Sequence, residues 1–127
     1  MTFRKGKLEE ASSIYNIIKQ AKEYMKNNGI NQWQDNYPNI NTVIEDINQG
    51  INYVYCDEDK IIGTIAVLFD GEKNYDNIYE GNWITNGPYA AIHRIVVDES
   101  VKGLGIAYKM ISHVEDMCYK RNLLSIK

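Results

Sequence analysis

The segment Asp98-Glu99-Ser100-Val101-Lys102-Gly103-Leu104-Gly105-Ile106-Ala107 constrains this chain more than any other. It follows Tyr89 to Asp98, a run rich in β-branched and apolar residues. It precedes a stretch in which Leu104, Ala107, Tyr108, Ile111, Val114 and Cys118 recur at helical spacing. A strand, a glycine-bearing turn and an amphipathic helix in succession point to a mixed α/β domain. Two glycines and an alanine let the backbone come close to a ligand, and the free amides and dipole of a helix start attract phosphate. Lys102 adds a positive point charge. Glycine also simply closes a strand-to-helix turn, so the surroundings decide between the two explanations.

A Walker loop needs Gly-Lys followed by Ser or Thr, and a dinucleotide fingerprint needs three spaced glycines with an acidic residue about 20 positions later. Neither pattern fits. The rest of the chain supplies the frame. Leu8, Ala11, Tyr15, Ile18 and Met25 predict a first helix from about Leu8 to Asn28, ended by Asn27-Asn28-Gly29. A loop from Ile30 to Asn41 leads to a short helical pattern in Val43, Ile44 and Ile47. Tyr53 to Cys56 and Lys60 to Phe69 predict an antiparallel hairpin reversed at Asp57-Glu58-Asp59. Asp70 to Pro88 is a long polar excursion carrying Tyr75, Tyr79 and Trp83, and Leu123 to Lys127 begins a further strand. The order is strand, two helices, three strands, helix, strand.

With 127 residues and 44% hydrophobic content the chain suits one domain, residues 1–127. A formal charge of -3 gives no basic field for a polyanion, which disfavours nucleic acid as a partner. The longest apolar run, Ile61 to Phe69, falls well short of the roughly 20 residues that span a bilayer. The N-terminus lacks a signal-peptide pattern, so a cytoplasmic protein is expected. Cys56 and Cys118 have no spacing that suggests a disulfide framework or a metal site, and both are expected to be buried thiols.

The loop resembles the pyrophosphate-binding motif of the GNAT N-acetyltransferases, Arg/Gln-x-x-Gly-x-Gly/Ala, with Lys102, Gly105 and Ala107 at its fixed positions. Lys102 departs from the usual Arg or Gln; it keeps the charge but gives up the planar fork of a guanidinium. Ala91-Ile92-His93-Arg94-Ile95-Val96-Val97-Asp98 looks like the family's fourth strand, and the element order from Thr2 to Lys127 follows the family's. Tyr75, Ile78, Gly81, Trp83 and Tyr89, ahead of His93-Arg94, are similar to one small bacterial branch. The resemblance implies an acyl-CoA N-acyltransferase-like fold: a mixed, mostly antiparallel sheet flanked by helices. It implies acetyl-CoA as co-substrate, held by Lys102, Gly103, Leu104, Gly105, Ile106 and Ala107 and by the backbone of Ile95 and Val97. The activity it implies is transfer of an acetyl group to an amine by direct attack in a ternary complex. A non-catalytic module that binds acyl-CoA or a partner chain is the alternative.

Amine attack needs a neutral nucleophile, and histidine titrates nearest neutral pH. Some family members carry a catalytic carboxylate at the position aligned with His93, others at that of Ala91. Strand alternation predicts His93 on the same face as Ala91, Ile95 and Val97, with Arg94 on the opposite face, paired to a carboxylate. A purely hydrogen-bonded strand histidine is the competing explanation. His113 lies one position off the helical stripe and is expected to be solvated. Acceptor-binding aromatics are sought in the two loops the family uses: Trp33 and Tyr37 in one, Tyr75, Tyr79 and Trp83 in the other. Carboxylates Asp70, Glu72, Asp76 and Glu80 accompany the second group and suit a cationic amine. In the family the fold continues past the fifth strand, with a tyrosine that protonates the leaving thiolate. The expectation is therefore a chain that stops short of the complete fold and self-associates, as a homodimer, to cover an unpaired edge.

Overall fold

The computed structural model describes residues 1–30, 33, 36–69, 89–121 and 125–126. Of the candidate acceptor residues, Tyr79 and Trp83 lie outside these, as do Tyr75 and the four carboxylates of the same excursion. Strand β1 is Thr2–Lys5, followed by a one-turn 3-10 helix at Leu8–Glu10, α1 at Ala11–Asn27 and α2 at Ile40–Asn48. Strands β2 (Asn52–Asp57), β3 (Lys60–Leu68) and β4 (Tyr89–Val97) come next, then a second 3-10 turn at Glu99–Val101, α3 at Ile106–Lys120 and β5 at Ser125–Ile126.

Local chemistry sets these boundaries. Gly29 takes φ +72°, and the Ile30 amide donates back to the Met25 carbonyl at 2.8 Å, closing α1 with the left-handed residue its sequence supplies. At the start of α2 the Asn39 side chain accepts from the Thr42 amide at 3.1 Å, and the Asn39 amide donates to the Thr42 hydroxyl at 3.2 Å. The strands lie in the order β1-β2-β3-β4-β5; the first four are antiparallel and β5 runs parallel to β4.

Helices cover both faces of the sheet. On one, α1 and α2 bury Ile14, Ile17, Ile18 and Val43 against Val54 and Val96. On the other, α3 buries Ile106, Met110, Val114 and Cys118 against Ile62, Ile65 and Val67. Each such side chain contributes roughly 1.5–3 kcal/mol when fully buried. Gly63 lets α3 seat closely: a Cβ there would stand 2.9 Å from the Met110 methyl carbon and 3.5 Å from Ile106. Both cysteines are free and buried.

The buried row of α3 differs from the expected one. Val114 and Cys118 belong to it, but Leu104 and Tyr108 are 64% and 74% exposed, and Ile106 and Met110 take their place. The helix begins only at Ile106, after left-handed Gly105, so Leu104 is a loop residue and sets no helical phase. His113 is exposed yet stacks on Phe3, ring centroids 4.9 Å apart and planes 9° from parallel.

Candidate active site

The segment between β4 and α3 carries two left-handed glycines with open space above them. Gly103 and Gly105 stand at φ +85° and +76°, a region that L side chains adopt at a cost, and a Cβ at either would meet no atom within 4 Å. Open space over left-handed backbone is what close approach of a phosphate requires. Gly105 is also the N-cap of α3 and offers no side chain to the helix's leading amides. The Lys109 amide is bonded to the Gly105 carbonyl at 3.1 Å, so the amides of Ile106, Ala107 and Tyr108 are the helix's first-turn donors.

Two residues of α1 hold this loop in place. Gln20 donates from its side-chain nitrogen to Asp98 Oδ2 at 3.3 Å and accepts from the Glu99 amide at 3.0 Å. Tyr24 carries the Lys102 ammonium 4.6 Å from its ring centroid. Asp98 itself accepts from the Ser100 amide and hydroxyl at 2.9 and 2.6 Å. Burial pushes the Asp98 carboxyl up, but the hydrogen bonds from Ser100 and Gln20 outweigh it and hold the group below its ordinary value.

Strand β4 departs from simple alternation. Val96 pairs with Thr64 and His93 with Ala66, so Arg94 and Ile95 together oppose the single residue Ile65. This is a β-bulge, and Arg94 takes φ +50° within it. The extra residue shifts the side-chain phase. Ile92, Ile95 and Val97 pack on the α3 side, whereas His93 and Arg94 both line a cleft on the α2 side. The expectation that His93 shares a face with Ile95 and Val97, opposite Arg94, is therefore corrected. Among the described residues β5 pairs only with Tyr89 and Ala90, so the edge of β4 beside Ile95 and Val97 has no partner strand there.

The cleft has a volume of about 310 Å³. Its wall is an ion pair: Arg94 Nη2 meets Asp46 Oδ2 at 2.5 Å, and Arg94 Nη1 donates to the Tyr37 hydroxyl at 2.9 Å. Burial raises the Asp46 carboxyl above its ordinary value, with the hydrogen bond and charge of the Arg94 guanidinium pulling against that shift. Arg94 is thus paired with a carboxylate, as its sequence predicts. Trp33, a candidate for acceptor binding, packs against the α1–α2 core, while Tyr37 is exposed at the cleft.

Residues 12–126 match the family model described as the Acetyltransferase (GNAT) family. The chain belongs to the GNAT acetyltransferase family. A GNAT-family acetyltransferase from Streptococcus agalactiae superposes with TM-score 0.80 at 30% identity, over 91% of this chain and 68% of that one. A Staphylococcus aureus protein classed as an acetyltransferase gives 0.76 at 31% identity, over 99% and 77%. A ribosomal-protein-alanine N-acetyltransferase from Brucella melitensis shares the fold at 11% identity, TM-score 0.68, over 99% and 76%. No curated protein matches the chain. In this GNAT chain Gln20, Tyr24 and Asp46 were not singled out by sequence. Gln20 and Asp98 stand 78 positions apart, and Asp46 and Arg94 stand 48 apart; no local pattern links them.

Proposed function

We propose that this acetyltransferase uses acetyl-CoA as donor and acetylates a primary amine by direct attack in a ternary complex. The observation that carries the proposal is Gly105: left-handed, open above, and placed at the N-terminus of a 15-residue helix. The residues fit the donor. Loop amides of Gly103, Gly105, Ile106 and Ala107 and the charge of Lys102 would hold a pyrophosphate; Leu104, whose amide donates to the Val101 carbonyl at 3.3 Å, belongs to the same cradle by position. The β4 edge beside Ile95 and Val97, which has no partner strand among the described residues, would hold the pantetheine arm through its backbone. Acetyl-CoA supplies an activated acyl carbon. The amine nitrogen bonds to that carbon, the carbon–sulfur bond breaks, and the proton the amine loses balances the one the thiolate gains. His93, on the cleft side of the bulge, is the group assigned to accept the amine proton. A single domain working in the cytoplasm, with two chains paired, completes the proposal.

Thiol release from acetyl-CoA across a panel of primary amines tests it. Amine-dependent release supports acetyl transfer, and CoA binding without release by any amine points to a binding module on the same fold.

A further inference from the structure

The cleft beside His93 carries information about the acceptor. It is small: about 310 Å³ lies at the lower limit of ligand pockets and holds roughly ten water-sized groups. A compact amine or a single extended side chain fits. Its described lining is divided by chemistry. His93 lies at one wall, Ile51 and Leu68 give apolar surface, and Glu45 stands on the exposed side of α2.

The charges of the cleft resolve to one. Arg94 and Asp46 neutralise each other, and both guanidinium nitrogens that carry bonds are committed, one to Asp46 and one to Tyr37. Pairing with Asp46 thereby weakens the pull of Arg94 on a substrate carboxylate. Among the described charged residues of the cleft this leaves the carboxylate of Glu45. Gln49 donates to Glu45 Oε1 at 3.1 Å, which orients the carboxylate and uses one of its roughly four acceptor positions. The geometry points to a short amine with a second, cationic end, a diaminoalkane in chemical class. One nitrogen would be deprotonated near His93, the chain would lie on Ile51 and Leu68, and the other nitrogen would stay charged beside Glu45. Glu45 is then the specificity-determining residue, an assignment that rests on the acetyl-transfer proposal above.

Three amines that share a four-carbon chain isolate the distal group: 1,4-diaminobutane, 1-aminobutane and 4-aminobutanoate, which end in ammonium, methyl and carboxylate. Calorimetric binding is measured in the presence of CoA, and kcat/KM with acetyl-CoA. The expected order is diamine, then monoamine, then amino acid. The diamine should lead by about fivefold, the scale of one solvent-exposed charge pair. Glu45→Gln should collapse that lead while leaving the KM for acetyl-CoA unchanged. Binding of the three within twofold of one another, or a diamine preference that survives Glu45→Gln, overturns the assignment. A Glu45-dependent diamine preference in binding, with no acetylated product, upholds the cleft's selectivity and overturns acetyl transfer instead. Preference for a lysine-containing peptide over every free amine overturns the small-molecule assignment.

Discussion

Gly105 combines two demands that one substitution can separate. Asparagine is the L residue that visits the left-handed region most readily, so Gly105→Asn keeps the backbone at its φ of +76° while adding atoms where the cradle is open. Melting should shift by only a few degrees, but CoA affinity should fall at least tenfold by calorimetry. An unchanged affinity in the folded variant would remove the cradle from the binding site. His93 is tested by a different split. His93→Gln should lower kcat roughly 100-fold with CoA affinity unaltered. An unchanged rate would return His93 to a structural role.

Much of each element is legible from its own residues, because helix ends and tight turns depend on neighbours in sequence. Asn27-Asn28-Gly29 closes α1, Asp57-Glu58-Asp59 reverses the hairpin, and Lys102 to Ala107 joins β4 to α3, all where local chemistry places them. Two phase assignments were not legible. In α3 an exposed Leu104 and Tyr108 imitate an apolar row, since exposed apolar residues are ordinary and periodicity cannot see where the helix starts. In β4 the bulge is invisible because no residue of Ala91 to Val97 is a glycine or proline. The conformation of Arg94 is stabilised from another element, by Asp46 on α2. Removing one partner of a largely buried ion pair strands the other charge. Asp46→Asn should therefore cost about 3 kcal/mol, roughly 10 °C in Tm by calorimetry. It should also lower kcat, since the bulge sets the side on which His93 stands. A variant that keeps both Tm and kcat would deny the pair this role.

Across the whole molecule the carboxylates pull stability in opposite directions as pH changes. The hydrogen bond from Arg4 holds Glu10 below its ordinary value, with burial opposing; for Asp98 burial likewise works upward, but the Ser100 and Gln20 hydrogen bonds prevail. Both groups ionise more readily folded than unfolded. Their contribution is therefore complete above the ordinary carboxylate range near pH 4 and is lost as pH falls through their lowered folded values. Asp46 runs the other way: its raised value means that its ionisation opposes folding as pH rises through it. An acid titration followed by circular dichroism should show stability falling below about pH 4, with a shallower slope in Glu10→Gln and Asp98→Asn. CoA affinity should decline in the same window, because Asp98 anchors the cradle to α1. Equal slopes in all three proteins would contradict this account. The bulge at Arg94 and Ile95 also changes how this chain must be matched to others. The bulge sets two residues of β4 against one of β3. A relative with a flat fourth strand would carry the residue equivalent to His93 one place nearer the turn that joins β4 to α3. Ungapped matching would then set residues from opposite faces of the sheet against each other, and the true counterpart of His93 would be found only by counting along the ladder with β3.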